Sequence, residues 1–275
     1  MKKITLFLLL ALPSVSLCGG CQNSATAGHP QTGTFLLSFG GTNPVAHDAN
    51  LHVNSDLDPA VEKYFLYVPP GYDGSEGYGL IVFTNASDRL TQLPAGWGDV
   101  LNARKYIFVA AQNVGNDQPR GRRLGLAVMG ALKTKERYRI NPNRVYAAGF
   151  SGGARMAGML GFYRPDIFQG TLQNCGADFY RPVAVVHATS QLDTAGNRYG
   201  VIETSEEEVR RAKAVRFVLV TGTNDFRRGN ILDIFHGGFE QDGFQAKLFD
   251  IPGMAHDICD GVTLSQALDF LEKGL

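Results

Sequence analysis

The sequence predicts an α/β fold: a mostly parallel central sheet, helices on both faces, and antiparallel strands at its N-terminal edge. Three observations carry this. From Leu80 onward, short apolar runs alternate with helical patterns, as strand–helix–strand units require. The run Arg144-Val145-Tyr146-Ala147-Ala148 is a buried strand that ends in Gly149-Phe150-Ser151-Gly152-Gly153 and then a helix beginning near Ala154. A second buried strand, Arg216 to Thr221, also ends in a glycine turn at Gly222.

Taken in order, 34–39 and 64–68 read as the antiparallel N-terminal strands, separated by a segment rich in glycine, asparagine and aspartate. Strands follow at 80–83, 106–111, 144–148, 170–174, 216–222 and 244–251. Helical patterns cover 98–104, 124–138, 154–160, 205–213, 229–241 and 263–273. Residues 178–204 are polar and irregular, and a loop of this length predicts a lid or an acyl-pocket insertion. One domain over 34–275 accounts for all of these elements.

The serine turn suggests chemistry. Gly-x-Ser-x-Gly is a weak signal alone in a chain with 33 glycines. Its flanks give it meaning, because a strand–turn–helix context holds the serine out at the sheet edge on a strained backbone. The Gly152 amide then begins a helix, where it favours a developing negative charge. An acid and a base follow in the order Ser, Asp, His: Asp225 sits three residues past Gly222, and His256 follows Pro252-Gly253-Met254-Ala255. Loops after parallel strands converge on one crevice, so Ser151, Asp225 and His256 are expected to meet there. The competing readings are a turn residue for Asp225 and an exposed loop histidine for His256. Asp257, Asp178 and Asp193 are weaker acids. His29, His47, His52, His187 and His236 fall at the wrong place in the order.

These segments resemble the α/β-hydrolase superfamily, and more narrowly the secreted esterases and polyhydroxybutyrate-depolymerase-like hydrolases. The likeness runs from about residue 60 to the end. Tyr64 to Tyr72, with its Pro69-Pro70-Gly71-Tyr72 turn, is similar to the family's first strand. Leu80-Ile81-Val82-Phe83 is similar to the strand before the oxyanion loop. Asn141 to Tyr146 resembles the approach to the serine. The resemblance implies cleavage of small or polymeric carboxylic esters by Ser151, Asp225 and His256 through an acyl-enzyme, with no metal and no organic cofactor. It also implies an oxyanion hole from the Gly152 amide and an amide near Ala86. The family usually carries His-Gly in that loop, whereas this chain reads Thr84-Asn85-Ala86-Ser87-Asp88. That departure leaves open a noncatalytic surface-binding lipoprotein on a hydrolase scaffold. Triad chemistry also leaves open a serine peptidase of the same fold.

The N-terminus bears on location. Met1-Lys2-Lys3 is basic, Ile4 to Leu12 is apolar but short, and Leu17-Cys18-Gly19-Gly20-Cys21 follows. This resembles a bacterial lipoprotein signal over 1–20, with Cys21 lipidated and 21–33 as a tether. The expected location is the outer membrane, the periplasm or the cell surface, with the lipid as the membrane contact. A plain secretory peptide is the alternative. Export permits disulfides. Cys175 and Cys259 are both expected on the catalytic rim and are predicted to pair, for about 4–5 kcal/mol of stabilisation. The alternative is two buried free thiols.

Charge excludes one class. Lysine plus arginine and aspartate plus glutamate both number 26, so the net charge is zero, unlike a nucleic-acid binder. The one tight basic run, Pro119-Arg120-Gly121-Arg122-Arg123, reads as a solvated loop. No His-Glu-x-x-His occurs, and the only Cys-x-x-Cys spacing, Cys18 to Cys21, belongs to the export signal.

Overall fold

The computed structural model describes residues 30–51, 56–188 and 200–275. Among these, eight strands form one sheet: β1 (Gly33–Leu37), β2 (Tyr64–Val68), β3 (Tyr78–Thr84), β4 (Tyr106–Ala111), β5 (Ile140–Phe150), β6 (Gly170–Asn174), β7 (Arg216–Asn224) and β8 (Gln245–Ala255). Their spatial order is β1-β2-β4-β3-β5-β6-β7-β8. The pairs β1–β2 and β2–β4 are antiparallel, and the remaining pairs are parallel. The helices are α1 (Trp97–Ala103), α2 (Arg120–Arg137), α3 (Gly152–Tyr163), α4 (Glu206–Ala212), α5 (Arg228–Ile234) and α6 (Gly261–Leu271). No described helix is long and apolar enough to cross a membrane.

Side-chain alternation along the strands splits the core into two layers. Leu80 and Val82 of β3, with Ile107 and Val109 of β4, face the layer that holds α2, α3 and α5. Their neighbours Ile81, Phe83, Tyr106 and Phe108 face Trp97 and Leu101 of α1 and Leu264 and Leu268 of α6. Both faces of the inner strands are therefore covered, which is why these strands read as unbroken apolar runs.

Local chemistry fixes the helix ends. Ser205 accepts from Glu208 N–H while Glu208 returns a carboxylate to Ser205, a complete capping box for α4. Asp260 caps α6 through Thr263 N–H. The helical stretch predicted over 229–241 is not uniform. It runs as α5 and then widens into a π-helical turn, Phe235–Glu240. Predicted strands also grow: β5 includes Asn141-Pro142-Asn143, and β8 continues through Pro252-Gly253 to Ala255, where Gly253 takes a positive φ of 78°.

The basic run is no solvated loop. It forms the first turn of α2. Arg122 makes a two-pronged ion pair with Glu62 at 2.8 and 2.6 Å. Arg123 is buried at 5% exposure, and its Nε donates to Val114 O at 2.8 Å.

Candidate active site

Strand register delivers the three predicted residues to one point. The last residues of β7 and β8, Asn224 and Ala255, are direct partners. Asp225 and His256 therefore leave the sheet side by side. Ser151 follows β5, two strands away, and β6 lies between. β6 ends at Asn174, one residue after which Cys175 turns into a left-handed conformation with φ 55°. β6 ends level with β5, at the pair Phe150–Asn174, and opposite Val220, whereas β7 runs on to Asn224. His256 Nε2 lies 3.0 Å from Ser151 Oγ, and Nδ1 lies 2.7 Å from Asp225 Oδ1. A carboxylate only accepts, so Nδ1 carries the proton and Nε2 accepts from the serine hydroxyl.

The serine turn is strained as its sequence context requires. Ser151 has φ 53° and ψ −117°. Its N–H donates to Asn174 O at 2.8 Å, which ties the nucleophile to β6. The flanking glycines are required by close approach. A Cβ on Gly149 would lie 2.3 Å from Gly153 O, and one on Gly153 would lie 1.9 Å from Thr84 O. As the first residue of α3, Gly152 has an N–H with no intrahelical acceptor.

Asp225 is buried at 4% exposure. Burial alone pushes its carboxyl up. Hydrogen bonds from His256, Arg227 N–H, Thr221 and Cys175 outweigh that and hold it below the ordinary carboxylate range. Two tilted rings contact the imidazole: Phe226 at 4.2 Å and Phe150 at 5.1 Å between centroids. Sequence reasoning missed these two rings and Thr221. The Thr221 spacing, four residues before the acid, was the one readable signal among them.

The alternative acids and bases lie elsewhere. Asp178 pairs with Arg155 Nε at 2.9 Å. Asp257 offers its backbone carbonyl to Cys175 Sγ at 3.1 Å. His187 pairs with Asp233, and His236 with Glu240, each at 2.8 Å. Asp193, His29 and His52 lie outside the described residues. So does Cys21, the predicted lipidation site. Within the irregular 178–204 segment, residues 186–188 are anchored: the N–H groups of Val186, His187 and Ala188 all donate to the Asp233 carboxylate on α5.

Two expectations are corrected. Cys175 and Cys259 do not pair with each other; both are buried thiols. The left-handed turn at Cys175 aims its sulfur at Asp257 O and the Asp225 carboxylate. The Cys259 side chain instead joins the core layer of α1 and α6. Burial pushes both thiols well above their ordinary range. The Ala86 amide is likewise not open to a substrate oxygen, because it donates to its neighbour's Asn85 Oδ1 at 2.9 Å.

Cys175, Asp225 and His256 bring a thiol, a carboxylate and an imidazole within 4.8 Å. Both imidazole nitrogens already serve Ser151 and Asp225, so the cluster is the wiring of the triad and offers no open ligand set.

No protein-family model matches the chain, and no curated protein matches it. Solved structures do. A ferulic acid esterase superposes with a TM-score of 0.58 at 15% identity, over 88% of this chain and 99% of that one. The poly(3-hydroxybutyrate) depolymerase LpqC from Bordetella parapertussis gives 0.53 at 16%, over 78% and 84%. A hyperthermophilic esterase from the archaeon Pyrobaculum calidifontis gives 0.55 at 14%, over 90% and 87%. Likeness at this identity speaks for architecture. With the eight-stranded order and the serine turn between β5 and α3, it shows that the chain has the α/β-hydrolase fold.

Proposed function

We propose that this chain is a serine hydrolase that cleaves carboxylic esters through an acyl-enzyme. The observation that supports it most directly is the unbroken relay Ser151 Oγ–His256–Asp225, at 3.0 and 2.7 Å. In this reading Ser151 Oγ attacks the ester carbonyl as His256 Nε2 takes its proton. Asp225 holds the imidazole in one tautomer and stabilises its cationic form. The Gly152 N–H donates to the oxyanion. The imidazolium then protonates the leaving alcohol, and the acyl group stays on Ser151. Water, activated by the same imidazole, releases the acid and restores the serine.

Wild-type protein should hydrolyse short-chain nitrophenyl esters and take a fluorophosphonate probe. Ser151→Ala should lose both. Probe labelling that persists in Ser151→Ala would falsify the assignment. A peptidase reading also has support: a putative dipeptidyl aminopeptidase IV from Bacteroides ovatus shares the fold at a TM-score of 0.53, although this chain covers 36% of its length. Turnover of aminoacyl amides above that of acyl esters would favour it.

Export and lipid anchoring belong to the same reading, with Cys21 as the modified residue. Their support is the basic start, the short apolar run and the Leu17 to Cys21 motif. Incorporation of labelled fatty acid should be lost in Cys21→Ala.

A further inference from the structure

An oxyanion needs more than one donor, and the Ala86 amide expected to be the second one is engaged elsewhere. Its N–H is turned back onto Asn85 Oδ1 at 2.9 Å. A different group lies against the nucleophile turn. A Cβ on Gly152 would fall 1.9 Å from Asn116 Oδ1 and 3.3 Å from Asn116 Nδ2. The Asn116 carboxamide therefore fills the space that a side chain next to the nucleophile would take. It comes from the loop between β4 and α2.

Its placement is over-determined. Asn116 N–H donates to Ala86 O at 2.8 Å, which seats this loop on the loop after β3. Arg123 Nη2 donates to Asn116 Oδ1 at 3.3 Å. A guanidinium has donors only, so the amide atom facing it is the oxygen. Arg123 is itself pinned, through Nε to Val114 O at 2.8 Å and through Nη2 to Asn85 O at 3.2 Å. The carboxamide is thus locked with Nδ2 turned away from Arg123. The residue is exposed, and Nδ2 lies 3.3 Å from where a Gly152 Cβ would be. A cation on Oδ1 polarises the amide and strengthens Nδ2–H as a donor.

We infer that Asn116 Nδ2 is the second oxyanion donor, a side-chain amide acting where a loop backbone amide was expected. This rests on the ester-hydrolase reading. It makes Asn116 a catalytic residue, because it touches the reacting oxygen, and it makes Arg123 the residue that positions it. It also explains Gly152: any side chain there would push the carboxamide out.

The test compares Asn116→Ala and the nearly isosteric Asn116→Asp with wild type on a nitrophenyl ester. A trifluoromethyl ketone, which forms a tetrahedral adduct on Ser151, is the second readout. Both variants should keep the wild-type melting temperature and KM, while kcat falls by about 100- to 1000-fold. Ketone affinity should fall in parallel. Gly152→Ala, which displaces the carboxamide without altering it, should give the same pattern. A folded Asn116→Ala variant with kcat and ketone affinity within about threefold of wild type overturns the inference alone. Wild-type protein that neither turns over esters, binds the ketone nor takes a fluorophosphonate overturns the ester-hydrolase reading, and this inference with it.

Discussion

Thr221 Oγ1, in the buried stretch of β7, donates to Asp225 Oδ2 at 2.8 Å. His256 occupies the other oxygen, Oδ1, together with Arg227 N–H. Both carboxylate oxygens are therefore held, and the group that orients the imidazole cannot rotate. Thr221→Val keeps the shape and removes the donor. Hydrogen bonds to charged groups contribute about 1.5–3 kcal/mol, so kcat/KM should fall by about tenfold or more. Thr221→Ser should restore it. The carboxyl is depressed in the folded protein, so its contribution to stability is present above its ordinary range and is lost as pH falls. Removing a donor weakens that depression. Thr221→Val should therefore begin acid unfolding at a higher pH than wild type, which circular dichroism against pH would read. An unchanged acid midpoint would count against this wiring.

Asp178 behaves in the opposite sense. Burial raises its carboxyl to about 6, against pulls from Arg155, Arg120 and the Gly200 N–H. Its Oδ2 is buried and has no hydrogen-bond partner among the described residues. The folded protein therefore holds this proton more tightly than the unfolded chain does. Stability from this group is greatest below the ordinary carboxylate range and declines as pH rises toward 6. The full swing is on the order of 3 kcal/mol. Asp178→Asn removes the titration, so its melting temperature minus that of wild type should climb between about pH 4 and 6. A difference that stays flat over that range would show that Asp178 does not titrate there.

The two core cysteines give a redox prediction. Cys175 is wired to Asp257 O and the Asp225 carboxylate, and Cys259 is packed near Trp97, whose Nε1–H donates to Cys259 O at 2.8 Å. Unfolding without reductant should expose both thiols to iodoacetamide. Mass spectrometry should find the peptides carrying Cys175 and Cys259 each alkylated and never cross-linked. Recovery of a linked pair, or a melting temperature lowered by dithiothreitol, would contradict the structure.

The sequence by itself determined the layered α/β architecture, the serine turn and the Ser-Asp-His order. These follow from local rules: apolar runs that strands bury on both faces, caps such as Ser205 and Asp260, and glycines where Gly149 and Gly153 let strand, helix and loop touch. Only the tertiary structure decided what meets what. The pairing of Asn224 with Ala255 sets Asp225 beside His256, and the His256 imidazole reaches Ser151 across the strand ends at 3.0 Å. Two residues on one rim, Cys175 and Cys259, look alike in sequence, yet a left-handed backbone turn sends one sulfur to the acid while the other enters the core. Asn116 carries no sequence signal at all. Its position depends on a buried arginine seven residues later and on a glycine thirty-six residues later, and spacing in a chain does not encode proximity across a sheet edge.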